Sequence, residues 1–309
     1  MVLFTSGKSL ERAENIKAVY DAYDGEKAFI QVNPWKHNPE LTSERFSLRV
    51  TDEFISVSPG KAIMIGHGIS GGKTFGLDQP HPYHNRRNAS LLTYVITTSE
   101  AMIDITARQS GVDPSRVLPL GMPRTDAYFG VKKGDGNTFL AGKRSYLYAP
   151  TYRGREETSM AFIDWKWIDS QLTDDELLVV KPHMMTKHLL NGEYKHIVEV
   201  SSDLPSKPYL VDCDVLITDY SSILMDAHIL EKPVVLFEKQ EGYLATRGMY
   251  LEYPKGYASR YCTNEMNLVN LIRNADAPGE EDIRCRQITA AACDGHSTER
   301  VVKLIKELL

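Results

Sequence analysis

The stretch Asp214-Val215-Leu216-Ile217-Thr218-Asp219-Tyr220-Ser221-Ser222 constrains the fold more than any other. A short β-branched apolar run ends in an acid, an aromatic ring and two hydroxyls, and an apolar helical pattern follows from Ile223 to Leu230. In an open α/β sheet this is a strand delivering polar side chains to the carboxyl edge, where ligands collect. The helix start beside it offers backbone N–H groups to an anion. The bland alternative is that Ser221 and Ser222 only cap the helix. No glycines flank Tyr220-Ser221-Ser222-Ile223, so neither serine sits in a nucleophile elbow.

The same strand–helix unit recurs along the 309 residues. Apolar runs predict strands at 2–4, 28–32, 62–65, 94–98 and 116–120. The polar, glycine-rich segment 132–137 reads as a linker, and strands resume at 145–149, 177–180, 215–219 and 233–237. Helices are expected over 10–23, over 100–109 with Ser99 as the cap, over 160–172 and over 223–230. A last helix presents Val301, Val302, Leu304, Ile305, Leu308 and Leu309 on one face, with Ser297 or Thr298 as its cap. Residues 33–58, broken by Pro34, Trp35 and Pro39, have no readable period. Two such series imply an α/β protein of two doubly wound domains facing each other across a cleft, residues 1–135 and 136–309, with the last helix free to pack back on the first domain.

Hydrophobic content of 42% and charged content of 25% are those of a soluble globular chain. A net charge of −5 argues against non-specific nucleic-acid binding, which depends on neutralising phosphates. No apolar run approaches the ~20 residues needed to cross a bilayer. Met1 to Lys8 lacks the long apolar core of a signal peptide. These features predict a cytoplasmic protein whose membrane contact, if any, is peripheral. Cys213, Cys262, Cys285 and Cys293 have no metal-ligand spacing, and reduced thiols are expected.

His67 follows a buried strand and precedes glycines, so it reads either as a general base at a sheet edge or as a loop-bracing histidine. Gly72-Lys73-Thr74 completes the end of a phosphate-loop pattern, but His67 occupies its first position. Pro80 and Pro82 also stand against a helix starting at Lys73. His183 is the counterpart of His67 in the second series. Thr186 and Lys187 follow it, giving an imidazole, a hydroxyl and an ammonium that suit a diphosphate, although Lys187 also reads as a solvated face. Asp212-Cys213-Asp214 has an acid-x-acid spacing seen at metal sites. Asp214 more simply turns the chain into its strand, and no metal or cofactor is expected. Arg247-Gly248, among Tyr243, Tyr250 and Tyr253, either grips phosphate or stacks on the rings.

Together these motifs resemble the CDP-glycerol glycerophosphotransferases of teichoic acid and capsule synthesis. The resemblance rests on Thr218-Asp219-Tyr220-Ser221-Ser222 with Asp226 and Lys232-Pro233, and on Tyr243 to Arg247-Gly248 and Tyr250. Tyr148-Ala149-Pro150-Thr151-Tyr152-Arg153, Lys181-Pro182-His183, and Gly121 with Pro123-Arg124 and Asp126 add to it, in order, over about 60–260. Two departures stand out. His67-Gly68-Ile69-Ser70-Gly71-Gly72-Lys73 replaces the family's usual His-Gly-Thr-Pro followed by lysines, and Glu252 stands where Asp is commoner.

The resemblance implies a GT-B fold of two Rossmann-like domains, the first on the acceptor side and the second holding the donor. It implies that an acceptor hydroxyl attacks the β-phosphorus of CDP-glycerol or a related CDP-alditol, and that CMP leaves. On this chain His67 would be the base, and His183 a donor-phosphate ligand or acid. Thr186, Ser221 and Ser222 would bind the diphosphate and Arg247 the transferred phosphate. Lys73, Arg124, Arg153, Asp219 and Asp226 would complete the substrate-binding set. The implied acceptor is a lipid-linked or polymeric alditol phosphate or glycan of the cell envelope, reached from the inner face of the membrane. Two alternatives remain open at this point: a GT-B glycosyltransferase using a sugar nucleotide, and a non-catalytic nucleotide-binding paralogue.

Overall fold

A computed structural model describes residues 1–32, 41, 44–53, 60–66, 68–69, 71–78, 91–140, 142–152, 163–186, 188–239 and 248–309. The chain divides into two compact units. The first comprises Met1–Phe129, Gln287–Leu309 and a short segment ending at Tyr250; the second comprises Gly130–Thr246 and Leu251–Arg286.

The first unit is built on β1 (Val2–Ser6), β2 (Lys27–Gln31), β3 (Leu48–Thr51), β4 (Lys61–Met64), β5 (Tyr94–Ile96) and β6 (Val117–Leu118), with helices α1 (Glu14–Ala22) and α2 (Ile103–Ser110). Its strands are all parallel, in the order β2-β1-β3-β4-β5-β6. Ala62, Met64, Val95 and Val117 of the sheet pack with Ala107 of α2. Such strands are buried on both faces and so read as unbroken apolar runs.

β3 escapes that rule, because Arg49 sits in mid-strand, buried, with its guanidinium donating to the Leu41 carbonyl. Burial alone pushes the Arg49 pKa down.

In the second unit β7 (Arg144–Tyr148), β8 (Glu176–Val180), β9 (Ile197–Glu199), β10 (Val215–Thr218), β11 (Val234–Phe237) and β12 (Arg260–Cys262) are again parallel. Their order is β12-β11-β10-β7-β8-β9. The helices are α3 (Trp165–Gln171), α4 (Lys207–Asp212), α5 (Ile223–Ile229), α6 (Glu265–Arg273) and α7 (Glu280–Thr289), with α8 (Ser297–Leu308) returning to the first unit. Tyr146, Tyr148, Leu178, Val180, Val215, Ile217, Val235 and Phe237 form one apolar sheet face, packed on Ile168 of α3 and Leu268 and Ile272 of α6.

Several helix starts and caps differ from the sequence expectations. The helices expected from 10 and from 100 begin as 3-10 turns (Leu10–Arg12 and Glu100–Met102) before α1 and α2. Ser99 does not cap; its hydroxyl donates to the Ile288 carbonyl. The cap of α8 is neither Ser297 nor Thr298. Asp126 accepts from both of their backbone N–H groups, at 3.0 and 2.7 Å, because a carboxylate satisfies helix-start donors better than a hydroxyl. Gly121 (φ 87°) makes this seating possible, since a Cβ there would lie 2.3 Å from the Ala292 carbonyl oxygen.

The glycine-rich stretch 132–137 is tied down within the second unit. The fully buried Asp212 carboxylate accepts from the N–H groups of Gly134, Gly136 and Thr138 at 2.8–2.9 Å, and from the Thr138 hydroxyl at 2.7 Å.

Candidate active site

In the second sheet the chain runs outward from β7 through β8 to β9 on one side, and from β10 through β11 to β12 on the other. The switch of direction falls between β7 and β10, and at such a point the diverging loops leave a crevice at the carboxyl edge. The loops that open there are Ala149–Tyr152 after β7 and Asp219–Ser222 after β10. The turn Lys181–Thr186 after β8 lies alongside, since the Lys181 N–H bonds the Tyr148 carbonyl at 2.8 Å.

Asp219 holds the two switch-point loops together. It is fully buried, and its carboxylate accepts from the backbone N–H groups of Thr151 (2.8 Å) and Tyr220 (2.6 Å). The Thr218 hydroxyl adds a bond to the Ala149 carbonyl at 2.7 Å. Tyr220 turns inward, 1% exposed, with its ring 4.8 Å from that of Tyr253 and its hydroxyl donating to Glu238.

With the acid and the ring drawn inside, Ser221 stays half-buried and Ser222 is exposed. Ser222 occupies the cap position of α5, but its side chain makes no capping bond. Among the described residues neither serine hydroxyl has a hydrogen-bond partner. Capping therefore does not account for them. Asp226 lies buried one turn further along α5.

His183 is exposed, and its ring stacks on that of Tyr152 with centroids 5.4 Å apart and planes at 29°. Its Nδ1 accepts from the Met185 N–H at 3.2 Å, so in the neutral ring Nε2 carries the proton and points away from that turn. The Thr186 N–H closes the turn onto the His183 carbonyl at 2.7 Å, leaving Thr186 half-buried beside it. Lys181 is a structural residue: it is buried, and its ammonium donates to the Pro182 and Ser202 carbonyls at 2.9 and 3.1 Å. Burial pushes its pKa down. Tyr152 belongs to the motif 148–153, but nothing in its local spacing signals the stack.

Lys73 and Arg124 lie in the first unit. Lys73 forms an antiparallel bridge with Met249, flanked by bonds from the Thr74 N–H to the Gly248 carbonyl and from the Tyr250 N–H to the Gly72 carbonyl, both 3.1 Å. The segment is thus extended where a phosphate loop would begin a helix. Arg124 lies in the first turn of the 3-10 helix Pro123–Tyr128; its N–H bonds Asn15 Oδ1 at 2.9 Å and its guanidinium bonds the Tyr128 hydroxyl at 3.3 Å. His67, Arg153 and Arg247, with Ser70, Lys187 and Tyr243, lie outside the described residues.

The acid-x-acid pair is occupied by protein donors. Asp212 clasps residues 134–138 as above. Asp214 accepts from the Ser145 N–H at 2.8 Å and the Lys133 ammonium at 2.6 Å. Among the described residues no group of three or more His, Cys, Asp or Glu side chains is placed to hold a metal ion, and no helix is long and apolar enough to cross a membrane.

The chain is similar to the teichoic acid poly(ribitol-phosphate) polymerase of Bacillus spizizenii, 28% identical over 272 residues that cover 79% of this chain and 42% of that protein. It is similar also to the teichoic acid glycerol-phosphate primase of Bacillus subtilis, 26% identical over 268 residues that cover 81% of this chain and 68% of the primase. The chain spans about half the length of the polymerases it matches first, 42–51%.

Among solved structures, the wall teichoic acid polymerase TagF superposes with a TM-score of 0.75 at 18% identity, over 100% of this chain and 89% of that one. The UDP-GlcNAc 2-epimerase of Methanocaldococcus jannaschii superposes with a TM-score of 0.61 at 13% identity, over 99% and 100%. At these identities the likeness concerns the fold, which is of the GT-B type with two parallel α/β sheets. A family model described as CDP-glycerol:poly(glycerophosphate) glycerophosphotransferase matches residues 42–307, and the chain belongs to that family.

Proposed function

We propose that this protein transfers glycerol phosphate, or a related alditol phosphate such as ribitol phosphate, from a CDP-alditol to a hydroxyl of a cell-envelope acceptor, releasing CMP. The observation that carries the reading is the convergence at the second unit's switch point. There, two serine hydroxyls without a hydrogen-bond partner among the described residues lie beside loops bearing a ring-stacked histidine and a threonine, in a chain of this family. A diphosphate needs such donors along its length.

In the proposed reaction the acceptor oxygen bonds to the β-phosphorus as the bond from that phosphorus to the bridging oxygen breaks. His67 takes the acceptor proton, while His183 Nε2 donates to the donor phosphates and steadies the departing CMP. Ser221, Ser222 and Thr186 hold the diphosphate, and Arg247 and Arg153 neutralise charge around the transferred group. Phosphoryl transfer asks mainly for alignment and charge stabilisation, which this set supplies. Asp219 and Asp226 act from inside, as supports for the serine loop. The acceptor is an alditol-phosphate polymer or its lipid-linked primer, met at the inner face of the membrane.

CMP release measured with CDP-glycerol, CDP-ribitol and a UDP-sugar tests the reading. Turnover of at least one CDP-alditol is expected. Thermal stabilisation by the UDP-sugar with no effect of either CDP-alditol would overturn it.

A further inference from the structure

The first sheet has a switch point of its own. The chain goes from β1 to β2 on one side and returns to β3 on the other, so the loops after β1 and β3 diverge at the carboxyl edge. A polar recess lies there, lined by Lys8, Arg12, Glu14, Asn15, Asp52 and Arg124. Its volume of about 30 Å³ admits one small polar group and excludes a nucleotide.

The recess is built from inside. Asp52, 3% exposed, accepts from the Ser6 hydroxyl at 3.0 Å. Burial raises its pKa to about 6, against the Ser6 bond and the charge of Lys8, which lower it. Asn15, also 3% exposed, spans the wall: its Nδ2 donates to the Gly66 carbonyl at 3.1 Å and its Oδ1 accepts from the Arg124 N–H at 2.9 Å. Gly66 directly precedes His67 in the chain. Lys8 and Arg12 stand exposed at the rim, and among the described residues neither side chain has a carboxylate within 4.0 Å.

Cations at a rim around a buried carboxyl match a ligand carrying both a negative group and a hydroxyl. We infer that this recess takes one hydroxyl from the phosphate-bearing polyol end of an acceptor, donated to Asp52, while the phosphate stays outside on Lys8 and Arg12 at the rim. The identity of the ligand rests on the reaction proposed above; the existence of a binding recess does not. The recess would place an acceptor terminus one hydrogen-bonded residue away from the backbone that leads into His67.

The test is titration of glycerol 3-phosphate, inorganic phosphate and glycerol into the full chain, followed by amide chemical shifts, for wild type, Lys8→Ala/Arg12→Ala and Asp52→Asn. Circular dichroism checks that the variants are folded. Wild type should bind glycerol 3-phosphate with shifts at Lys8, Asn15 and Asp52. The double variant should bind it roughly tenfold or more weakly, as expected for two lost charge-assisted contacts. Asp52→Asn should weaken glycerol 3-phosphate more than inorganic phosphate.

In turnover assays the double variant should raise acceptor KM and leave donor KM within about twofold. No binding by wild type, equal affinity in all three proteins, or shifts confined to other residues would overturn the inference. If the binding pattern holds while no CDP-alditol is turned over, the recess stands and the proposed reaction falls.

Discussion

The Asp219 carboxylate accepts the Thr151 backbone N–H at 2.8 Å, and through this one bond the loop after β7 is fastened to the loop after β10. The acid of the motif thereby sets the shape of the crevice from beneath, with Ser221 half-buried and Ser222 exposed beside it. Asp219→Ala leaves the N–H groups of Thr151 and Tyr220 buried without their acceptor, at a cost of roughly 1–3 kcal/mol each. Chemical denaturation should show a loss of about 2–5 kcal/mol. Asp219→Asn, which keeps one oxygen, should lose less.

The stack of Tyr152 on His183 fixes the plane of the imidazole. Aromatic pairs contribute about 0.5–1.5 kcal/mol, so Tyr152→Ala should lower donor kcat/KM roughly three- to tenfold. Tyr152→Phe should stay near wild type. Steady-state kinetics with saturating acceptor read the difference.

Glu176 should contribute to the acid stability of the second unit. The Arg273 guanidinium bonds both of its oxygens, at 2.9 and 2.7 Å, and the Tyr146 hydroxyl donates at 2.7 Å. The Arg273 bonds hold its pKa at about 2, against burial, which raises it. A carboxyl depressed in the folded state stabilises above its unfolded pKa and loses that contribution as the pH falls through the folded one. The contribution, about 3 kcal/mol, should be complete above pH ~4.5 and vanish towards pH ~2. Glu176→Gln should flatten that part of a pH–stability curve.

Asp126 caps α8 from a distance of 171 residues in sequence. Asp126→Ala should cost about 1 kcal/mol, within the usual range for a lost cap. Hydrogen exchange should speed up first at Ser297, Thr298 and the following turn, with the second sheet unaffected.

Much of the fold is legible in the sequence because buried parallel strands are unbroken apolar runs: 62–65, 177–180 and 215–218 announce themselves in this way. β3 does not, since Arg49 interrupts it, and β9 and β12 are three-residue edge strands with partly exposed side chains. That omission hides the first unit's switch point, and with it Asp52. In the second unit the polar residues after β10 are visible as a motif, but their division of labour is not. Whether Ser222 caps a helix or faces outward depends on which groups Asp219 bonds, and one of these, the Thr151 N–H, lies 68 residues earlier. Nor can spacing within one strand reveal a stack between loops after two different strands, as for Tyr152 and His183. Asp126 illustrates the same limit: a distant carboxylate displaces the local hydroxyl as the cap.

The proposed reaction requires His183 and His67 to serve one phosphoryl transfer, and CMP release from CDP-glycerol and CDP-ribitol under saturating acceptor measures that requirement. With wild type turning over at least one donor, His183→Ala and His67→Ala should each lose ~10²–10⁴-fold in rate, the usual cost of removing a positioned acid or base. Full activity in both variants would rule out a shared role of the two histidines.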